Sequence, residues 1–265
     1  MKFSVTSKIL SPVNENDAMK KYGLVGFPLT HSFSKKYFTD KFQRENLFQC
    51  VYENFEIQDV GDFKNLFDKE PELLGINITV PYKKAVMNIL NVIDPEAKKI
   101  GAVNTIKVTR DEGKTKLKGF NTDVIGFEIS LRNGFVAQHK HALILGTGGS
   151  SNAIAAALFK MGIEYLKVSR NASSNIILYT QLSKEVISEH TLIINCTPLG
   201  MFPLIELFPE IPYEYITEKH FLYDMIYNPE ETVFLRKGKE MGAYTNNGFE
   251  MLCIQAEASW KIWNE

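Results

Sequence analysis

From Lys20 onward, short apolar runs alternate with amphipathic stretches along nearly the whole chain. "KYGLVGFP" is an apolar run closed by Gly26 and Pro28, and reads as a strand. "SFSKKYFTDKFQREN" places Phe33, Tyr37, Phe38 and Phe42 on one face at helical spacing. "QCVYENFEI" reads as a strand and "DVGDFKNLFDKEPEL" as a helix with Val60, Phe63, Leu66 and Phe67 inward. "LLGINITV" is a strand stopped by Pro81, and a short helix is expected from Tyr82. "GAVNTIKVTRDEGKTKLKGFNTD" reads as two strands about a turn at Asp111–Lys114, with Gly113 as its flexible position.

The second half opens a new series. "HALILG" reads as a strand, Gly149 to Met161 as a helix and "EYLKVS" as a strand. "SNIILYTQLSKEVIS" is expected to be helical, "TLIINCT" and "HFLYDMI" to be strands, and "EETVFLRKGKEMG" to be a helix. The chain ends on an apolar helix, "GFEMLCIQAEASWKIW". Such alternation predicts an α/β protein of two domains, with mostly parallel sheets. The boundary falls near residues 123–130, within the helix that follows "NTD". The mixed polarity of the last helix suits packing back on the first domain. The first domain would then comprise 20–124 plus 247–265, and the second 125–246. Residues 1–19 share none of this pattern and form an N-terminal extension.

Charge and composition narrow the partner classes. The 265 residues carry 30 Lys and Arg against 31 Asp and Glu, a net charge of −1. No basic excess or stripe marks a nucleic-acid surface. Three cysteines, Cys50, Cys196 and Cys253, lie far apart without a C-x-x-C. That argues against a disulfide scaffold or a zinc site and fits a reducing compartment. The N-terminus lacks a continuous apolar core of the secretory kind, and no run reaches the ~20 apolar residues of a membrane span. A cytoplasmic protein with a small-molecule partner, working as a monomer or homodimer, is the expectation.

Gly146-Thr147-Gly148-Gly149-Ser150-Ser151 approximates the G-x-G-x-x-G/A turn, between a strand and a helix. Gly146 permits the tight turn, Gly148 lets a pyrophosphate approach, and the helix start offers free N–H groups to phosphates. The alternative is a tight turn that serves packing alone. About 20 residues on, where the fold usually places an acid for the ribose of NAD, the chain has Ser169-Arg170-Asn171. A guanidinium there suits the 2′-phosphate of NADP, which a carboxylate would repel. The alternative is a surface arginine in a loop.

Lys83 follows a strand and a proline, at the expected start of a helix, where the dipole disfavours an ammonium. Alone it reads rather as an ordinary solvated lysine. Asp123, just past another strand, can hold that ammonium or merely cap its helix. Ser32 and Ser34 straddle the start of the first helix, as anion ligands or as caps.

"GFPLTHSFS", "NITVPYK", "GAVNT", "FNTD", "GTGGSS", "NCTPLGM", "YDMIYNP" and "NNGFEMLCIQA" occur in this order. From about Lys21 to the C-terminus the chain resembles the shikimate dehydrogenase family. The resemblance implies an N-terminal substrate domain, a C-terminal Rossmann-type domain that binds NADP, and reversible reduction of 3-dehydroshikimate to shikimate in aromatic amino-acid biosynthesis. It implies Lys83 and Asp123 as the catalytic pair. Ser32 and Ser34 would hold the substrate carboxylate, Thr79, Asn104, Asp123 and Gln255 the ring hydroxyls, and Tyr227 would line the pocket. Gly146, Gly148, Gly149, Ser169 and Arg170 would hold the cofactor, with Asn195, Thr197 and Gly200 on its nicotinamide side. No metal is implied. The chain departs from the pattern at Asn152, where the family often has an arginine, and at Asn247-Gly248, usually Asp-Gly. Two rival readings are a quinate/shikimate dehydrogenase using NAD, and a non-catalytic regulator of the same fold. A methylene-folate-type dehydrogenase lacks the paired serines.

Overall fold

A computed structural model of the chain describes residues 18–29, 33–132, 138–171, 173 and 176–265. The N-terminal extension up to residue 17 and Ser32 lie outside them.

The first sheet is built on β1 (Lys20–Gly26), whose Tyr22, Leu24 and Val25 are buried on alternating faces. A strand covered on both sides needs such continuous apolarity. β2 (Cys50–Glu56) and β3 (Leu73–Ile78) pair parallel with it on either side. The crossovers are α1 (Ser34–Arg44) and α2 (Phe63–Lys69). Phe38 and Phe42 of α1 bury against Tyr22 and Tyr52 on one face; Phe63, Leu66 and Phe67 of α2 bury against Ile76 on the other.

After β4 (Val92–Ile93) and α3 (Pro95–Ile100), the sheet departs from the expected parallel pattern. β5 (Thr105–Asp111) and β6 (Lys114–Phe120) form an antiparallel hairpin, turned by Glu112 and Gly113 at φ 48° and 76°. β5 runs antiparallel to β3 as well, so the order β2-β1-β3-β5-β6-β4 is a mixed sheet. The short helix expected from Tyr82 is a turn followed by a 3₁₀ segment, Ala85–Ile89. Only Val86 of that segment is buried, so no apolar stripe is present to hold a full helix.

α4 (Asp123–Arg132) leads into the second sheet. Its strands are β7 (His141–Leu145), β8 (Glu164–Ser169), β9 (Ile176–Leu178), β10 (Leu192–Asn195), β11 (Phe221–Asp224) and β12 (Tyr244–Asn246). They are all parallel, in the order β12-β11-β10-β7-β8-β9. The order reverses between β7 and β10, the place where doubly wound sheets open a ligand crevice. Ala142 and Ile144 face α4 and α5 (Gly149–Lys160), while Leu143 and Leu145 face α6 (Lys184–Glu189) and α7 (Val233–Glu240).

The single helix expected over "SNIILYTQLSKEVIS" is instead a strand, a 3₁₀ turn at Tyr179–Gln181 and α6. Ile176 and Ile177 pair with Lys167 and Val168 on β8, and α6 starts only where Ser183 accepts a bond from the Val186 N–H. Branched side chains at a free sheet edge outweigh the weak helical pattern.

α8 (Phe249–Asn264) crosses back to the first sheet, where Trp263 donates to the Ile106 carbonyl at 3.0 Å and lies over Gly75. On its way it packs on α4, so closely that a Cβ at Gly126 would stand 2.8 Å from the Met251 carbonyl oxygen.

Candidate active site

Lys83 lies in the turn that ends β3, fixed at its carbonyl by the Val103 N–H at 2.7 Å. Its Nζ donates to Asp123 Oδ2 at 2.7 Å and to Ser150 Oγ at 3.2 Å. Side-chain exposures of 13% and 6% leave the pair shielded yet reachable. The expected pull of a helix dipole on Lys83 has no source, because an α-helix does not begin there. The helix-cap alternative for Asp123 is likewise corrected. Asn121 Oδ1 accepts from the N–H groups of Asp123 and Val124, at 3.1 and 3.4 Å. Asn121 caps α4, and the Asp123 carboxylate is left for Lys83 and for Asn104, whose Nδ2 donates to Oδ1 at 2.8 Å.

Asn104 is a junction. Its Nδ2 also reaches Gln255 Oε1 of α8 at 3.4 Å, and its Oδ1 accepts from the Thr122 N–H at 2.7 Å. Behind it runs a buried polar layer that sequence reasoning missed. Tyr52 donates to Asn77 at 2.9 Å, Asn77 to Ser259 at 2.8 Å, and Ser259 shares a 2.8 Å bond with Thr105. Polar residues inside the apolar runs "LLGINITV" and "GAVNT" were the available signal. Ser34 begins α1, is buried, and its hydroxyl lies against the Tyr52 phenol. Thr79 sits just past β3, its methyl packed by Gly26. Tyr227 reaches over from the second sheet, where its hydroxyl accepts from the Phe33 N–H at 3.5 Å. Ser32 is outside the described residues, so its place beside Ser34 is undescribed.

The glycine turn faces this pair. Gly146 has φ +108°, and a Cβ there would also press on the Cys196 carbonyl at 3.2 Å. Gly148 opens onto free space, whereas a Cβ at Gly149 would meet Lys83 Cβ at 3.0 Å. So the start of α5 lies directly against the lysine turn. Ser169 Oγ accepts from the Asn171 N–H at 3.4 Å at the end of β8. Arg170 is exposed, and among the described residues its guanidinium makes no hydrogen bond or ion pair. Asn195 Oδ1 accepts from the N–H and hydroxyl of Thr197, at 3.0 and 2.7 Å, before a left-handed Gly200 at φ +105°. Behind Asn195 lies Asp224, another residue the sequence reading did not single out. It accepts from Asn195 Nδ2 at 3.1 Å, the Ile226 N–H at 3.0 Å and Thr232 Oγ1 at 2.6 Å. Burial raises its pKa to about 7 against the pull of these bonds. An open cradle at Gly148, a helix start beside it and a free guanidinium one strand away fit a phosphorylated dinucleotide.

Known proteins resemble the chain over most of its length. Residues 24–106 match the family model described as shikimate dehydrogenase substrate binding domain. The shikimate dehydrogenase (NADP(+)) of Desulforamulus reducens is 34% identical over 91% of this chain and 88% of its own length. Shikimate dehydrogenase 1 from Peptoclostridium difficile is 39% identical, with a TM-score of 0.81 over 93% of this chain and 92% of that one. A Thermus thermophilus shikimate 5-dehydrogenase, solved in complex with NADP(H) and shikimate, is 29% identical with a TM-score of 0.80. It is covered to 93%, and covers 92% of this chain. Matched over nine-tenths of its length by relatives at 34% and 39% identity, the chain belongs to the shikimate dehydrogenase family.

Proposed function

We propose that Lys83 and Asp123 are the proton-moving pair of an NADP-dependent shikimate dehydrogenase, an oxidoreductase acting on a CH–OH group. NADPH, when bound, supplies the hydride that reduces the carbonyl of 3-dehydroshikimate. Negative charge then grows on the carbonyl oxygen. Lys83 Nζ stabilises that charge and delivers a proton to the oxygen, and in reverse takes it from the hydroxyl of shikimate. Asp123 aims the ammonium, and Asn104 holds Asp123 by its other oxygen. The observation that carries this reading is the 2.7 Å Lys83–Asp123 contact at the mouth of the glycine turn.

The remaining roles are those the family resemblance implies, and donor type supports them. Ser32 and Ser34 bind the substrate carboxylate. Thr79, Asn104, Asp123 and Gln255 bind the ring hydroxyls, and Tyr227 forms the wall. Gly146, Gly148 and Gly149 cradle the pyrophosphate, Ser169 and Arg170 take the 2′-phosphate, and Asn195, Thr197 and Gly200 line the nicotinamide side. The substrate domain is 20–124 with 247–265, and the NADP domain is 125–246. Among the described residues no helix is long and apolar enough to cross a membrane; we place the enzyme in the cytoplasm.

The test is Lys83→Met. Steady-state rates with shikimate and NADP+ should show kcat lowered about 10²–10⁴-fold with KM little changed. A rise in KM alone would make Lys83 a binding group only.

A further inference from the structure

Besides Lys83, three cations stand round the glycine turn, Arg170, Lys84 and Lys167, and of these the function above uses only Arg170. Lys84 reaches across from the lysine turn and donates to the Thr147 carbonyl at 3.2 Å. Lys167, on β8, donates to Asn152 Oδ1 in the first turn of α5 at 2.9 Å. Asn152 is itself fixed by the Ile100 carbonyl, to which its Nδ2 donates at 3.1 Å.

These two lysines differ from the rest. Every other lysine side chain with a hydrogen bond among the described residues bonds a carboxylate: Lys21, Lys35, Lys36, Lys41, Lys83 and Lys239. Lys84 and Lys167 donate to neutral oxygens instead and make no ion pair there. For Lys167 the arrangement is unfavourable, because its amine is half-buried and a desolvated ammonium needs a counter-charge. Burial pulls its pKa down, and the charge of Lys84 pulls it further. Lys84, Lys167 and Arg170, like charges gathered at a phosphate-binding turn and ion-paired with no acid among the described residues, are stabilised when an anion with several charges enters.

We propose that Lys84 and Lys167 are phosphate ligands of the dinucleotide: Lys167 from beneath the turn with Asn152, Lys84 from the opposite domain. This rests on the NADP reading above and deepens it. Two consequences follow. The cation deficit suggested by Asn152 and a single Arg170 is made up by residues from other elements. Lys84, one residue from Lys83, also ties cofactor binding to the position of the catalytic amine.

The experiment is isothermal titration of the full chain and of Lys84→Met and Lys167→Met with NADP+ and with NAD+. Shikimate binding without cofactor and the melting temperature are recorded alongside. Each variant should weaken NADP+ about tenfold, the scale of one charge-assisted bond, with shikimate affinity kept. Equal loss for NAD+ assigns that lysine to the pyrophosphate; loss for NADP+ alone assigns it to the 2′-phosphate. Variants that bind both dinucleotides as the unaltered chain does would overturn the proposal. If the unaltered chain itself fails to bind NADP+, the dinucleotide reading falls with it. Should Lys167→Met not fold, acetylation of the unaltered chain read by mass spectrometry decides. Protection of Lys84 and Lys167 by NADP+ supports the assignment, and equal labelling with and without NADP+ overturns it.

Discussion

Asp123 and Lys83 are 40 positions apart, and each alone reads as an ordinary surface or capping residue. What makes them a pair is a third residue. By capping α4, Asn121 relieves Asp123 of that task, and the carboxylate turns to the amine. A sequence shows that an asparagine precedes an aspartate by two; it does not show which of them caps. Asp224 is harder still to read, for its role depends wholly on burial behind Asn195. Its raised pKa has a signed consequence. The folded state holds a proton on Asp224 up to about pH 7, while the unfolded chain loses it near its ordinary 3.8. Stability from this group is therefore full below that lower value and is lost as pH rises towards 7. In Asp224→Asn the loss is absent, so melting temperatures taken from pH 5 to 8 should show the variant gaining on the unaltered chain as pH rises. A constant difference would mean that Asp224 does not titrate across that range.

Among the elements, the long periodic ones were legible. The strands of "KYGLVGFP" and "HALILG" and the helices of "SFSKKYFTDKFQREN" and "GFEMLCIQAEASWKIW" all stand in the structure. Short ones were not. β4, α3 and β12 are two, six and three residues long, too brief to carry a period. The helix expected after β3 is a turn and a short 3₁₀ segment, of which only Val86 is buried.

The start of α5 shows how an element serves the site. Gly149→Ala should favour the helix by about 1 kcal/mol, since glycine is a poor helix former. Yet its methyl would crowd Lys83 Cβ at 3.0 Å. We expect unchanged or higher stability in urea with kcat down about tenfold, as the amine is displaced from line. Undiminished kcat would show the contact to be slack. The α4–α8 contact gives the opposite sign. Gly126→Ala sets a methyl 2.8 Å from the Met251 carbonyl oxygen and 3.1 Å from Gln255 Cβ. Overpacking of this kind costs about 1–3 kcal/mol, readable as a lower urea midpoint.

At the scale of the whole molecule, two sheets of different character meet where the start of α5 touches Lys83. The mixed sheet brings Lys83, Asn104 and Asp123 to one end, and the parallel sheet brings Gly146, Arg170 and Asn195 to its carboxyl end. Alternation of strands and helices predicted both layers, and the return of α8 ties Gln255 to the mixed one. The hairpin β5–β6 that makes that sheet mixed was visible as a turn, but its pairing to β3 was not. On the proposed assignment Arg170, where an acid would favour NAD, takes the 2′-phosphate and so favours NADP.

One assay bears on all of this: absorbance at the nicotinamide band, with shikimate or quinate offered against NADP+ or NAD+. Rapid reduction of NADP+ by shikimate is expected, with slower reduction in the other three combinations and near-complete loss of the shikimate rate in Lys83→Met. Rapid reduction of NAD+ by quinate, with none of NADP+ by shikimate, would contradict the proposed function.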